Sequence, residues 1–321
     1  VTSPHQRQSV LDQPVAVKEV FRPSDHFVNG HNIVRGPDCW HLFYSGAGGA
    51  DNSFKRHATS DDLLSWTIHE PILHAGGPDS CDEFEVGDAT FVRHDGRWVM
   101  LYTAGPRRPA SRVLARAVSD DLWHWEKCPG DGTEIFRPDP AWSAWKETGD
   151  SQSCKDPWIL PYEDRFLMVY ISQTRDDQSC VALAESEDLI TWEDHGPIIQ
   201  RPWQRHDLLG PGGFEVPRLF FRNGRFFLLA LWVTGTVYAV SDTPFRFGEM
   251  NILGPHHAAT LFEHGDRWFI THSFRPFGQP SLRGGMSEPH RGLSIGGLIW
   301  AENRPVPVDL SHVIRPACKN S

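Results

Sequence analysis

"ATSDDLLSW", residues 58–66, returns as "AVSDDLWHW" at 117–125 and "AESEDLITW" at 184–192, with a weaker copy, "AVSDTPFRF", at 239–247. Each copy reads as the end of a small-residue strand, a Ser-acid-acid turn, and an aromatic that opens the next strand. Ser and Asp side chains in such a turn take up backbone N–H groups, and the Trp brings a broad apolar face for packing between sheets. Recurrence of one supersecondary unit is the mark of a repeat architecture.

Ahead of each copy lies a second pattern, two apolar strands around a tight polar turn. The five instances are "HNIVRGPDCWHLFYSG" (31–46), "DATFVRHDGRWVMLYTAG" (88–105), "DPWILPYEDRFLMVYIS" (156–172), "VPRLFFRNGRFFLLAL" (216–231) and "HAATLFEHGDRWFITHS" (257–273). The turns "HDGR", "YEDR", "RNGR" and "HGDR" are hairpin signals. Each hairpin is followed by an outer pair of strands, the last pair being "GLSIGGLIW" and "RPVPVDL". Five units of four antiparallel strands predict an all-β, five-bladed β-propeller over residues 25–310, with an N-terminal segment 1–24 and a C-terminal tail 311–321. A β-sandwich also offers many short strands, but nothing in it calls for a strand-turn-Trp unit at blade-like intervals.

Composition narrows the function. Thirteen Trp and nineteen Phe in 321 residues suit stiff packing between sheets, and no apolar run reaches the length of a membrane-spanning helix. A net charge of −10 argues against nucleic acid or an anionic membrane as the main partner and leaves small carbohydrates open. The six cysteines, at 39, 81, 128, 154, 180 and 318, form no metal or disulfide pattern, and reduced thiols in a cytoplasmic protein are the simplest expectation.

In a propeller the first strand of each blade lines the central channel, so chemistry-bearing residues at its start converge. Asp88 stands 14 residues before Tyr102, Asp156 stands 14 before Tyr170, and Glu215 falls within one residue of that level. His31 and His257 head the first and fifth hairpins. A single Asp before a strand is usually a turn residue. Three acids and two histidines at one level of five repeats predict a functional ring.

At these residues the chain resembles the five-bladed glycoside hydrolases of families 32, 43 and 68. "CKDPWI" (154–159) is similar to the Arg-Asp-Pro stretch of family 32, and "FEVPRLF" (214–220) to its Glu-Cys-Pro stretch. The Ser-acid-acid turns resemble the blade-linking motif of these families and of family 130 phosphorylases. "GPHHAATLFEHGDRWFITHS" (254–273) resembles the channel-histidine segment of family 43, and "RGLSIGGLIW" (291–300) its closing strand. The resemblance implies a glycosidase, a hydrolase or a transglycosidase, acting on a furanoside, arabinose- or fructose-based, with Glu215 as general acid and Asp156 as the carboxylate that orients it. It implies that His257 sits beside a bound ion or water. The same families carry a further catalytic Asp at the head of the first blade, where this chain reads "HFVNGHN" (26–32) and has no carboxylate. Asp88 of the second blade is the candidate to make up the set.

Glycosidic cleavage needs one protonated carboxyl at the leaving oxygen and one ionised carboxylate on the other face. Phe214, Val216 and Pro217 around Glu215 predict a raised pKa, which suits the acid. Asp88, or else Asp156, is expected to activate water, with inversion as the outcome. His31, Asn32, Trp158, Arg175 and His257 are the candidate substrate contacts. Trp142, Trp145 and Trp203 are weighed as stacking platforms against plain packing. No cofactor is needed for this chemistry. An alternative is a divalent metal held by His31 and His257 with the carboxylates, and a second is a propeller that binds sugar without cleaving it.

Overall fold

A computed structural model describes residues 17–47, 52–106, 111–130, 133–146, 153–206, 210–232, 235–254, 256–273 and 292–309. Cys318, the 311–321 tail and the first sixteen residues lie outside these. Every described regular element is a strand. The first blade comprises β2 (Phe27–Arg35), β3 (Trp40–Ala47), β4 (Phe54–Ser60) and β5 (Thr67–His74). The second has β6 (Glu85–His94), β7 (Arg97–Gly105) and β8 (Val113–Ser119), with β9 (Glu126–Lys127) and β10 (Glu134–Phe136) both pairing with β8 to share its outer place. The third is β11 (Lys155–Tyr162), β12 (Arg165–Gln173), β13 (Gln178–Ser186) and β14 (Glu193–Pro202), followed by a small hairpin, β15 (Gln204–His206) and β16 (Gly210–Gly212). The fourth is β17 (Glu215–Arg222), β18 (Arg225–Trp232), β19 (Gly235–Ser241) and β20 (Asn251–Gly254). The fifth is β21 (Thr260–His264), β22 (Arg267–Ser273), β23 (Leu293–Ala301) and β24 (Arg304–Val308).

These are the blades of a five-bladed propeller, each an antiparallel sheet in chain order. One strand comes from a place the sequence put ahead of the propeller: β1 (Val17–Phe21) pairs with β23 over Leu293–Gly296, directly beyond the stretch that β24 covers. The last blade is therefore completed by the first and the last of the described strands.

The repeated turns are built as their residues require. Ser60 Oγ accepts from the N–H of Leu63 at 2.9 Å, and Asp62 Oδ1 accepts from Leu64 and Ser65, both at 2.8 Å. Ser119 with Asp121, and Ser186 with Asp188, repeat the same bonds. The N–H groups given by Ser65 and Leu64 hold the Asp62 carboxyl below its usual range. Trp66 and Trp125 each donate Nε1–H to the carbonyl of the turn leucine at 3.1 Å, which fixes the ring against the blade.

The apolar core lies in wedges between neighbouring blades. Phe43 stacks on Phe91 between blades one and two at 4.4 Å, Trp158 meets Phe220 between three and four at 5.5 Å, and Phe227 meets Trp300 between four and five at 5.0 Å. Phe21 of β1 packs on Tyr44 at 5.5 Å and closes the last wedge. Each large side chain buried in this way stabilises by roughly 1.5–3 kcal/mol. The axis is polar instead. Polar groups link blade to blade around it: Asn32 to Ala89 O at 2.6 Å, Asp156 N–H to Thr103 Oγ1 at 2.9 Å, and Val216 N–H to Asp156 Oδ2 at 3.0 Å. Arg218 reaches Thr260 Oγ1 at 3.3 Å, and His31 meets Thr271 Oγ1 at 2.9 Å, which completes the circle.

Candidate active site

Four inner strands break register at the same depth. Their ladders skip between Asn29 and Asn32, Val86 and Ala89, Lys155 and Trp158, and Glu215 and Arg218. A β-bulge re-aims side chains at the end of a strand. These four bulges turn the heads of β2, β6, β11 and β17 into one cavity of about 230 Å³. Asp88, Asp156, Glu215 and His257 all line it, so the acids expected at the hub do converge, together with the fifth-blade histidine.

The other four candidate contacts, His31, Asn32, Trp158 and Arg175, are not among the residues that line the cavity. His31 is buried under it against Thr271. Asn32 is spent on the carbonyl of Ala89. Trp158 packs between blades, giving its N–H to Leu219 O at 3.0 Å, with Arg218 over its ring at 4.7 Å. Arg175 lies in the exposed turn after β12, near Pro140 O at 3.5 Å. The loop tryptophans Trp142 and Trp145 also have internal partners, Asp194 at 3.0 Å and the Arg112 carbonyl at 2.7 Å, and Trp203 lies against Gly213. Among the described residues, no group of three or more His, Cys, Asp or Glu side chains is placed to hold a metal ion.

The electrostatics of the acids also differ from the expectation. Glu215 was to have a raised pKa from its apolar neighbours. Instead, the Lys155 ammonium, 3.2 Å from Oε1, holds its carboxyl below the ordinary value, and the side chain is 47% exposed towards the cavity. Asp88 is the raised one. Burial and the neighbouring Asp156 carboxylate push it up to about 7, against the pull of Lys55, Arg218 and Lys155. The resting site therefore keeps a proton on Asp88 up to neutral pH and leaves Glu215 ionised.

The cations that produce this pattern were missed in the sequence. Lys155 is next to Asp156 in the chain, but the bulge sends it to Glu215 of the following blade. Lys55 is fully buried, donating to Ser45 Oγ at 2.9 Å and to the carbonyl of Gly87. Its burial lowers its pKa to about 8, and Asp88, Glu85 and Asp156 resist that fall. The signal was present in "FKRHATS", where strand alternation puts Lys55 on the same face as His57. Arg112 lines the cavity as well, paired with Glu85 at 2.7 Å.

A sequence profile of the glycosyl hydrolases family 32 N-terminal domain matches residues 21–244, most of the chain. The chain belongs to glycosyl hydrolase family 32. Within that family, a probable sucrose-6-phosphate hydrolase of Psychromonas ingrahamii is 26% identical over 204 residues, which cover 59% of this chain and 35% of the relative. The chain spans little more than a third of the length of the curated relatives it matches. In fold it is similar to the GH32 beta-fructofuranosidase of Bombyx mori, with TM-score 0.68 and 18% identity over 96% of this chain and 69% of that one. The sucrose-6-phosphate hydrolase of Lactobacillus gasseri has the same TM-score at 16% identity, covering 95% and 66%. The head of the first blade, Asn29-Gly30-His31, carries no carboxylate.

Proposed function

We propose that this protein hydrolyses a fructofuranoside, with Glu215 and Asp88 as the working carboxyl pair and Asp156 as the group that positions them. The observation that carries the reading is the convergence of Asp88, Asp156 and Glu215 in one cavity of a family 32 propeller. Relatives named as beta-fructofuranosidases, from Arabidopsis thaliana and Pisum sativum, support fructose as the sugar, as does a Bombyx mori relative solved with sucrose. At about 230 Å³ the cavity is smaller than the roughly 300–1,000 Å³ of sites for drug-sized ligands. That size suits one monosaccharide ring, hence removal of a terminal fructosyl unit.

In the reaction, Glu215 gives its proton to the glycosidic oxygen as the bond to the anomeric carbon breaks. A water molecule adds to that carbon from the other face while Asp88 takes one of its protons, so the product is inverted. The pair shares a single proton. In the empty site Lys155 favours its residence on Asp88. A sugar that expels water from around the half-exposed Glu215 raises that carboxyl, while positive charge growing on the sugar ring favours Asp88 as the anion. Binding thus moves the proton to the side where it is used. Asp156, fixed by Thr103 and bonded to the Val216 N–H, holds the turn of backbone that carries Glu215.

The test is turnover of sucrose and short fructans, followed by NMR of the first-formed fructose anomer. Glu215→Gln is expected to abolish hydrolysis of sucrose yet retain cleavage of a fructoside with an activated leaving group, which needs no proton. Loss of both substrates alike removes Glu215 from the donor role, and a retained anomer removes Asp88 from the water-activating one.

A further inference from the structure

Gly30 sits at φ +51° in the bulge of β2. The equivalent first bulge residues of β11 and β17 are Asp156 at +56° and Val216 at +50°. Both carry side chains, so this backbone conformation does not by itself demand glycine. What demands it is the neighbouring blade. A Cβ on Gly30 would come within 3.0 Å of Asp88 Oδ2, and nearer still to Oδ1 and Cγ. The Asp88 carboxylate lies where a side chain of residue 30 would begin.

It is also held there. Lys55 of the first blade donates to the carbonyl of Gly87, and Asn32 of the first blade donates to the carbonyl of Ala89. The residues on either side of Asp88, Gly87 and Ala89, are thereby tied through their carbonyls to the blade whose glycine it covers. Among the described residues no hydrogen bond or ion pair reaches the Asp88 carboxylate itself, which remains open to the cavity. A residue that served only packing would gain by having its buried carboxyl hydrogen-bonded.

The geometry points to a catalytic carboxylate supplied across blades: Asp88, reaching from β6, takes the place left empty by Gly30 on β2 and faces the sugar from there. The inference rests on the fructofuranoside reading above. Because Asp88 approaches from the side, its oxygens lie near the start of a residue-30 side chain rather than at its far end. The carboxylate is set back towards the first-blade backbone. Lys55 and Asn32 act as positioning residues for it, and Gly30 is the space it needs.

The experiment is an exchange. Asp88→Gly and the near-isosteric Asp88→Asn are each expected to lower kcat/KM at least a thousandfold while melting as cooperative folded proteins. Gly30→Asp alone puts two carboxylates in one space and is expected to be inactive and to melt several degrees lower. The double variant Gly30→Asp/Asp88→Gly is expected to recover the melting temperature and at least tenfold in kcat/KM over Asp88→Gly. A melting cycle with Gly30→Ala needs no substrate: the positive φ strains an alanine in either background, and the substitution is expected to destabilise the wild type by clearly more than the Asp88→Gly background. If the wild type is active on fructofuranosides but the folded double variant is no better than Asp88→Gly, the exchange inference is overturned and the hydrolase reading stands. If Gly30→Ala destabilises both backgrounds equally, the shared-space argument fails. A wild type without action on any fructofuranoside overturns the hydrolase reading and the catalytic role of Asp88 with it, whatever the melting cycle gives.

Discussion

Lys155→Met removes the cation that sets the charge state of Glu215 while keeping a side chain of similar length. The pair is 3.2 Å apart, which at an effective dielectric constant of about 20 corresponds to roughly 5 kcal/mol of attraction. Glu215 is 47% exposed, so water screens much of this. The net effect lies between the roughly 0–1 kcal/mol of surface pairs and the roughly 3–5 kcal/mol of broken buried ones. A loss of about 1–2 kcal/mol is expected, with the Glu215 carboxyl rising towards its ordinary value. The sign follows from linkage. A carboxyl whose folded-state pKa is depressed contributes stability above its unfolded value, and that contribution disappears as pH falls through the folded value. Urea unfolding should therefore show Lys155→Met less stable by about 1–2 kcal/mol at pH 7, the deficit narrowing towards pH 3. The acidic limb of kcat/KM should move upward in the same variant, because the carboxyl loses the cation that holds it down. An equal deficit at pH 7 and pH 3, with an unmoved acidic limb, would refute the account of Glu215 as an anion held by Lys155.

Other outcomes follow from the same geometry. Activity should fall on the alkaline side of about pH 7, where Asp88 loses the proton the pair shares; a flat profile to pH 9 would contradict this. Asn32→Ala should lower kcat much more than it raises KM, because its amide holds Ala89 rather than substrate, whereas a KM effect alone would restore it as a sugar contact. Arg175→Ala should leave kcat/KM within about twofold, since its guanidinium lies in an exposed turn. Phe21→Ala should cost about 3–5 kcal/mol in unfolding experiments, because its ring is buried against Tyr44 and Trp66.

The propeller was legible because its signals are local and repeated. A Ser-Asp turn satisfies its own backbone within six residues, and a hairpin turn such as Asp95–Gly96 declares itself wherever it stands. The level of Asp88, Asp156 and Glu215 could likewise be counted from those turns. The bulges could not. One skipped ladder position decides whether Asn29, Gly30 or His31 faces the cavity, and His31 turned to Thr271 instead. Nor could residue order show that Lys155 would pair with Glu215, sixty positions away, and reverse the proton affinities expected from apolar neighbours. The place of Trp158 was hidden for a related reason: its indole N–H finds a carbonyl partner in the next blade.

The closing edge of the fifth blade has one more implication. Val308 stands opposite Gly297 and Val17 opposite Gly296 on β23, and both short strands run antiparallel to it. Arg304–Val308 followed by Val17–Phe21 thus trace one path whose two halves come from opposite ends of the propeller. A circular permutant that joins these halves and opens the chain at the Asp95–Gly96 turn would turn a two-part clasp into an unbroken strand, and transfer the seam of the ring from the fifth blade to the second.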